Sequence, residues 1–196
     1  MEIRLHDMQD GVTKLGEGIR FVIWTQGCLR RCSGCMTPDS QPLDKGYSIE
    51  VEDLADTIVK SGRKGLTISG GEPFLQAGAL STLISCIRKK EDIGVIIYTG
   101  YTIEEIKESK DKEFEQLLNM CDLLIDGAYI EQWNDGKNLR GSWNQRTIPL
   151  TKRYMDYVSE YGSRSAEVEF FFQEDKISMV GIPTKKILER FKKMKF

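Results

Sequence analysis

"FVIWTQGCLRRCSGC" (residues 21–35) joins a short apolar run to a loop that holds three of the chain's five cysteines. The run is rich in β-branched and aromatic residues, which predicts a buried strand. Cys28, Cys32 and Cys35 follow it with the spacing C-x3-C-x2-C. The pattern therefore predicts a strand whose carboxyl end opens into a cluster of thiols.

Three more apolar strands are predicted downstream, at intervals of about thirty residues: GLTIS (65–69), GVIIYTG (94–100) and DLLIDG (122–127). A helical pattern separates each pair of strands, over 48–62 with Ser48 as a possible cap, over 77–90 and over 103–120. This alternation is typical of right-handed βαβ units and a parallel sheet. In such sheets the functional residues gather in the loops after the strands. We therefore expect an α/β fold with its site at those loops.

The alternation of strands and helices fades after residue 130. The segment 131–146 is polar and rich in glycine and asparagine, which predicts an ordered loop. A late hairpin is predicted over 166–173 and 176–181, and an amphipathic helix over 184–196 with an apolar stripe of Ile187, Leu188, Phe191 and Met194. We expect a single domain over 1–196, with a core of about 10–146 and a C-terminal extension over 147–196.

Composition limits the function classes. With 196 residues, 40% of them hydrophobic and 30% charged, the chain fits one soluble domain. Its net charge of −2 does not recruit nucleic acid or an anionic membrane. No apolar run reaches the roughly 18 residues that span a bilayer, and the first residues lack the apolar core of a secretory signal. We expect a cytoplasmic protein, in which clustered cysteines indicate metal binding or catalysis.

Three thiols in one loop are one ligand short of a tetrahedral site. A structural zinc ion takes four ligands, usually as two separated pairs, and the lone His6 is a poor fourth. Cys86 and Cys121 occupy apolar contexts and are expected to be buried as small hydrophobic residues. A 4Fe–4S cube normally takes four cysteines, so three would leave one iron open to a substrate. The spacing alone leaves a structural metal loop or an incidental cluster open.

A second motif, TISGGEP (67–73), follows the next strand. Gly70 and Gly71 can adopt positive φ and present successive backbone N–H and C=O groups, and Glu72 adds a negative charge. This arrangement suits a zwitterion, with amides for its carboxylate and Glu72 or carbonyls for its ammonium. An ordinary strand-to-helix turn is the alternative.

Five segments together resemble one family, in this order: GCLRRCSGCMTPDSQ (27–41), LTISGGEPFLQ (66–76), IIYTGYTIEEI (96–106), DLLIDGAYI (122–130) and LRGSWNQR (139–146). They are similar to the radical S-adenosylmethionine (SAM) superfamily. More narrowly, they resemble the activating enzymes of anaerobic (class III) ribonucleotide reductase. The resemblance covers residues 10 to 146.

The resemblance implies a cofactor chemistry. Cys28, Cys32 and Cys35 would each hold one iron of a 4Fe–4S cluster, and SAM would chelate the fourth. Reductive cleavage of SAM would release a 5′-deoxyadenosyl radical, which takes a hydrogen atom from a glycine of the reductase and leaves a glycyl radical there. Modification of a ribosomally made peptide, or activation of another glycyl radical enzyme, is the alternative within the superfamily.

The resemblance also implies an open partial (βα) barrel with a curved, mostly parallel sheet. Four to six βα units are too few to close an eight-stranded barrel. The open side would admit a loop of a protein substrate.

Roles for single residues are implied as well. Four residues would hold the methionine end of SAM: Ser69, Gly70, Gly71 and Glu72. Thr99 and Gly100 would border the ribose, and Asp126 would bind the ribose or an associated cation, with a strand-ending cap as its alternative. Four residues of the late loop would approach SAM or the incoming glycine segment: Arg140, Gly141, Asn144 and Gln145.

Arg30 and Arg31 would favour thiolate ligands by their charge and help dock an acidic electron donor of the flavodoxin or ferredoxin type. Two other classes of function stay open at this point. One is a non-catalytic iron–sulfur electron carrier, and the other is a zinc-stabilised binding module. Neither of them requires the glycine–glutamate loop.

Overall fold

The computed structural model describes residues 1–161, 165–174 and 177–193. Within these ranges the strands are β1 (Glu2–Val12), β2 (Arg20–Thr25), β3 (Tyr47–Glu50), β4 (Gly65–Gly70), β5 (Gly94–Tyr98), β6 (Leu123–Asp126), β7 (Arg146–Pro149), β8 (Val168–Phe172) and β9 (Ile177–Gly181). The helices are α1 (Val51–Lys60), α2 (Ala77–Arg88), α3 (Ile103–Glu108), α4 (Lys112–Met120), α5 (Met155–Tyr161) and α6 (Lys185–Lys193). In the described part, no helix has both the length and the apolar character needed to cross a membrane.

Seven strands form one sheet, in the order β3-β1-β2-β4-β5-β6-β7. The four strands predicted from the sequence, β2, β4, β5 and β6, lie side by side and run parallel. In this register Ile23, Ile68, Ile97 and Leu124 form one buried row across the sheet. The antiparallel strands β1, β3 and β7 flank this group. The predicted α/β fold is confirmed, and its sheet is mixed, with a parallel centre.

The helices α1, α2 and α4 cover one face of this sheet. Leu54 and Ile58 of α1 are buried, as are Leu80, Ile84 and Ile87 of α2. These positions recur at helical spacing, so each helix presents one apolar side to the sheet. A separate core cluster on the opposite face joins Val12, Leu15 and Val22 to Val180 and Ile182.

The antiparallel hairpin of β8 and β9 forms where the sequence predicts one and contributes Val180 to that second cluster. The carboxylate of Glu169 on β8 accepts hydrogen bonds from the backbone N–H groups of Thr13 and Lys14, at 2.7 and 2.9 Å. The helix α6 follows the hairpin, with Leu188 buried. Met194, the last residue of the predicted apolar stripe, lies outside the described residues.

Two parts of the fold differ from the sequence-based expectation. The first residues form β1, in which the fully buried Ile3 and Leu5 alternate with the exposed Glu2 and Arg4. Ser48 is not a helix cap, because it lies in β3 opposite Arg4 of β1. Glu50 takes the cap position of α1 instead. Pairing with β1 thus extends the strand up to the start of the helix.

Candidate functional site

A cavity of about 490 Å³ opens at the carboxyl ends of the parallel strands. Because the ends of parallel strands meet at one edge of a sheet, their loops converge there. The cavity wall contains most of the residues singled out from the sequence: Cys28, Cys32, Cys35, Ser69, Gly70, Gly71, Glu72, Thr99, Gly100, Gly141 and Gln145. Three of the predicted residues are not among those that line it: Asp126, Arg140 and Asn144.

The cysteine loop is closed at its base by backbone hydrogen bonds. The N–H of Gly27 donates to the carbonyl of Ser40 at 2.8 Å, and the N–H of Cys28 donates to the carbonyl of Gln41 at 2.9 Å. The two ends of the loop are therefore held together directly after β2. This closure fixes where the loop leaves the sheet.

Two residues with a left-handed backbone conformation shape the tip of the loop. Arg31 has a φ of 47° and Gly34 a φ of 72°. A Cβ on Gly34 would also lie 2.6 Å from the side chain of Glu131, so glycine is required there for close packing as well. The tip turns back so that the N–H of Cys35 donates to the carbonyl of Cys32 at 3.2 Å. All three thiols thereby reach the wall of one cavity.

The three thiols are half-buried. Burial raises the pKa of Cys28 and of Cys32, and for Cys32 the neighbouring thiols Cys28 and Cys35 add to the increase while Arg30 opposes it. Metal binding takes thiolates, so loading a metal here would release protons.

The donor set suits a 4Fe–4S cluster. Cys28, Cys32 and Cys35 all line one cavity. Each cysteine ligand of a 4Fe–4S cube binds a different iron, so three thiols in one cavity could hold three of its four irons.

The glycine–glutamate loop packs backbone against backbone on the start of the cysteine loop. A Cβ on Gly70 would lie 2.3 Å from the nitrogen of Thr25, and a Cβ on Gly71 would lie 2.2 Å from the carbonyl oxygen of Gly27. The N–H of Gly71 donates to Thr25 at 2.7 Å, and the N–H of Glu72 donates to Gly27 at 2.8 Å. The carbonyls of Thr25 and Gly27 therefore already accept hydrogen bonds from the N–H groups of Gly71 and Glu72.

Glu72 is a buried carboxylate on the cavity wall, with 2% of its surface exposed. It accepts hydrogen bonds from the hydroxyl of Thr99 at 2.7 Å, the N–H of Gly100 at 2.8 Å and the N–H of Phe74 at 3.1 Å. Burial raises the pKa of Glu72, and these hydrogen bonds oppose the increase. The ammonium group of a zwitterionic ligand would compensate the buried charge, so the site fits SAM.

Asp126 is also buried, but it is occupied by protein groups. Its carboxylate accepts from the N–H of Ile103 at 2.8 Å and from Nε of Arg146 at 3.0 Å. The bond to Ile103 caps the first residue of α3. The structure thus supports the capping alternative over a ribose or cation site.

The late loop divides into two pairs of residues. Gln145 lies on the cavity wall and accepts from the N–H of Gly141 at 2.8 Å while donating to the carbonyl of Gly127 at 2.7 Å. It therefore fixes Gly141 beside the loop that follows β6.

Arg140 and Asn144 instead hold the late loop from outside the cavity. Arg140 pairs with Asp135 at 2.9 Å, and the side-chain amide of Asn144 donates to the carbonyl of Ala128 at 2.8 Å. Both side chains therefore stabilise the late loop, and neither of them lines the cavity.

Arg30 bridges the cysteine loop and the loop after β5. Its guanidinium lies 4.2 Å from the ring centroid of Tyr101 and 2.8 Å from the carboxylate of Glu105. A charge paired in this way is not free to dock a partner. Of the two predicted arginines, only Arg31 is exposed.

Sequence reasoning missed two parts of the wall. His6, Asp7 and Gln9 line it from β1, which was not predicted as a strand. The hairpin and α6 line it from the other side, through residues 177–183 together with Leu188 and Phe191. The alternation of Ile3 and Leu5 could have revealed β1, but no local signal shows that the hairpin folds over the site.

A family model described as a 4Fe-4S single cluster domain matches residues 14–148. The chain belongs to this 4Fe-4S family. The anaerobic ribonucleoside-triphosphate reductase-activating protein of Vibrio cholerae is 35% identical in an alignment of 142 positions that covers 66% of this chain and 87% of that protein. The pyruvate formate-lyase 1-activating enzyme of Escherichia coli K12 is 32% identical in an alignment of 157 positions that covers 76% of this chain and 61% of that enzyme.

Among solved structures, the crystal structure of QueE from Escherichia coli matches with a TM-score of 0.43 and 16% identity, over 64% of this chain and 70% of that one. The predicted kinship with radical SAM activating enzymes is confirmed by the sequence relatives. A 4Fe–4S cluster and SAM are accordingly the cofactors of this 4Fe-4S family member. The match ends at residue 148, so β8, β9 and α6 lie outside it.

Proposed function

We propose that the chain is a radical SAM activating enzyme that generates a glycyl radical on an anaerobic ribonucleoside-triphosphate reductase. The observation that carries this proposal is the meeting of three cysteines and a buried glutamate in one cavity. Relatives with 32–35% identity are named as activating proteins of such a reductase and of pyruvate formate-lyase.

The cofactors supply the hard chemistry: a reduced 4Fe–4S cluster gives a low-potential electron, and SAM gives a carbon-centred radical when it accepts that electron. The protein chain binds and orients these two cofactors. Cys28, Cys32 and Cys35 would hold three irons, and Glu72 would bind the ammonium group of SAM. Thr99 and Gly100 would act through Glu72, because their hydrogen bonds fix its carboxylate.

The proposal includes further features of the fold and of the cell biology. Residues 1–196 form a single domain with a core of about 10–146, and its sheet curves as an open partial barrel. The enzyme works in the cytoplasm and receives its electron from a flavodoxin-type or ferredoxin-type donor. Arg31 is the residue of the cysteine loop left to contact such a donor, since Arg30 is paired with Glu105.

Activation of another glycyl radical enzyme is the second candidate. The relative named for pyruvate formate-lyase favours it. The two candidate functions use the same cavity and differ only in the partner protein. An experiment with the partner protein is therefore needed to distinguish them.

The test is anaerobic reconstitution of the protein with iron and sulfide, followed by SAM, dithionite and the reductase of the same organism. We expect a glycyl radical in the electron paramagnetic resonance spectrum of the reductase. Alanine at Cys28, Cys32 or Cys35 should abolish it, while Cys86→Ala should not, because Cys86 lies in α2 away from the cavity. Abundant 5′-deoxyadenosine without a reductase radical would overturn the partner and keep the chemistry.

A further inference from the structure

The strand β9 borders the cavity along its whole length. All five of its residues, Ile177–Gly181, line the wall, and Ile182 and Pro183 continue it. No residue of β8 lines it. Side chains of a strand alternate between two faces, so a cavity that touches every consecutive residue lies along the edge of the strand. The outer edge of β9 therefore faces the cavity, with β8 on the far side.

This edge is unpaired within the described part of the chain. There β9 pairs with β8 alone. In an antiparallel pair every second residue directs its N–H and C=O away from the partner strand. No backbone hydrogen bond joins those groups of Ile177–Gly181 to another described segment. Such an edge binds an extended polypeptide as an additional strand.

The side chains of this wall point to the same class of ligand. They are almost entirely apolar, with Ser178 as the polar exception: Ile177, Met179, Val180, Ile182, Pro183, Leu188 and Phe191. Such a wall offers no charge to a phosphate or a carboxylate. Its main hydrogen-bonding groups are backbone groups, which match the backbone of a peptide.

The edge is also fixed relative to the cysteine loop. Val180 and Ile182 pack on Leu15 and Val22, and Val22 belongs to the strand that leads into the cysteines. The ion pair of Lys14 with Glu167, at 3.0 Å, adds a contact between the hairpin and the same part of the sheet. A strand bound to β9 would thus enter the cavity at a defined position.

We propose that the free edge of β9 binds an extended segment of the partner reductase as an added strand and holds its backbone in the cavity that the cysteine loop lines. The proposal rests on the proposed function, since it concerns how the substrate protein is recognised. A glycine in that segment suits the arrangement, because without a Cβ its backbone can approach the opposite wall closely. The hairpin lies outside the family match, so this recognition would be an addition to the common core.

The test uses the reconstituted full-length protein with SAM and a synthetic peptide of about nine residues that matches the reductase segment around its radical-bearing glycine. In a series of peptides each backbone amide is N-methylated in turn, and binding is measured by fluorescence anisotropy. Methylation of every second amide should weaken binding about two- to tenfold, because each such change removes one hydrogen bond to β9. Methylation of the intervening amides should change binding little. Equal effects at all positions, or none, would overturn the proposal.

Hydrogen exchange on the protein gives an independent readout. Binding of the intact reductase should slow exchange of the β9 amides and leave the amides of β8 unchanged. If the reductase acquires its radical but β9 gains no protection, the edge proposal fails while the activase function stands. If no radical forms on the reductase, the function itself fails. Protection of β9 that grows with the concentration of the protein alone would assign the edge to self-association and overturn the proposal.

Discussion

Glu72 is the residue whose charge matters most to the cavity. It is buried and accepts three hydrogen bonds from Thr99, Gly100 and Phe74. Those bonds fix the position of the carboxylate, and the guanidinium of Arg30, which also acts on its charge, is itself paired with Glu105. A buried charge of this kind favours a cationic ligand.

We expect Glu72→Gln to weaken SAM binding by about 10- to 100-fold, because a charge-assisted hydrogen bond contributes about 1.5–3 kcal/mol. Calorimetric titration of the reconstituted protein measures this. The iron content should remain as in the wild type, since the change leaves the thiols in place. Glu105→Gln on α3 is the matched control, and its SAM affinity should stay within about threefold of the wild type. Equal losses in the two variants would show that Glu72 has no special role.

At the scale of elements, the junction of two loops depends on Gly71. A methyl group there would lie 2.2 Å from the carbonyl oxygen of Gly27 and force the two loops apart. We expect Gly71→Ala to lower the free energy of unfolding by about 1–3 kcal/mol and to reduce the iron retained per chain. Iron analysis and urea denaturation measure the two effects.

Gly78→Ala provides the comparison for this substitution. The atoms nearest to a Cβ at Gly78 belong to the carboxylate end of Glu113, at 2.8 Å, and that flexible side chain can move. The alanine also favours the helix α2 in which Gly78 lies. Its stability and iron content should match or exceed those of the wild type. An equal loss of iron in both variants would contradict the close-packing role of Gly71.

A second connection joins β7 to the start of α3. Arg146 forms a two-point contact with Glu104, at 3.0 and 2.6 Å, and also binds Asp126. The hydrogen bonds from Arg146 lower the pKa of Glu104 from 4.5 to about 2. A carboxylate whose pKa is lowered in the folded state stabilises the fold at pH values above its ordinary pKa. That contribution is lost as the pH falls towards the lowered pKa.

We therefore expect the apo-protein to be more stable than its Glu104→Gln variant near pH 6. The difference should shrink as the pH falls from about 4.5 towards 2. Urea denaturation of both proteins across this range measures the difference. Glu108→Gln, at the other end of α3, is the control. A difference that does not change with pH would mean that packing, and not charge, sets the effect of Glu104.

The sequence predicts the elements whose signals are local. The central strands are continuous apolar runs, as in Phe21–Ile23 and Val95–Ile97, and such runs are buried whichever neighbour they pair with. Ser48 shows the limit, because a serine before a helical pattern suits a cap until a distant strand pairs with it.

The same limit applies within the site. A glycine at position 71 is compatible with backbone amides free to bind a ligand and also with the close approach of two backbones. The close approach becomes visible only in the folded structure. A carboxylate that ends a strand, such as Asp126, suits a ligand or a cap equally well until Arg146 and Ile103 are in place. The spacing of three thiols within eight residues predicts that they lie together, and all three line one cavity.

At the scale of the whole molecule, one end of the parallel sheet forms the cavity and the other end stabilises the fold. The cavity lies at the carboxyl ends, and the buried Arg20 lies at the amino ends. Arg20 donates to the carbonyls of Leu66 and Gly94 at 2.8 and 2.9 Å, to the hydroxyl of Thr67 at 2.6 Å and to the hydroxyl of Tyr154 at 2.8 Å. It thereby joins β2, β4 and β5 at the end opposite the site.

We expect Arg20→Met to lower the free energy of unfolding by about 3–5 kcal/mol, because it leaves buried carbonyls without donors. The folded fraction should retain its iron and its SAM affinity. Chemical denaturation followed by circular dichroism measures the stability. Arg63→Met, which removes the partly exposed pair with Asp10, should cost about 1 kcal/mol or less. Loss of SAM binding by folded Arg20→Met would contradict the separation of the two ends.

The closed base of the cysteine loop bears on repair after oxidative damage. The bonds that close it, from Gly27 to Ser40 and from Cys28 to Gln41, join protein backbone to protein backbone and involve no iron. A molecule stripped of its cluster by oxygen would therefore keep the scaffold on which a replacement assembles. Recovery after exposure to air then calls for iron, sulfide and reductant, and the polypeptide already made can be used again.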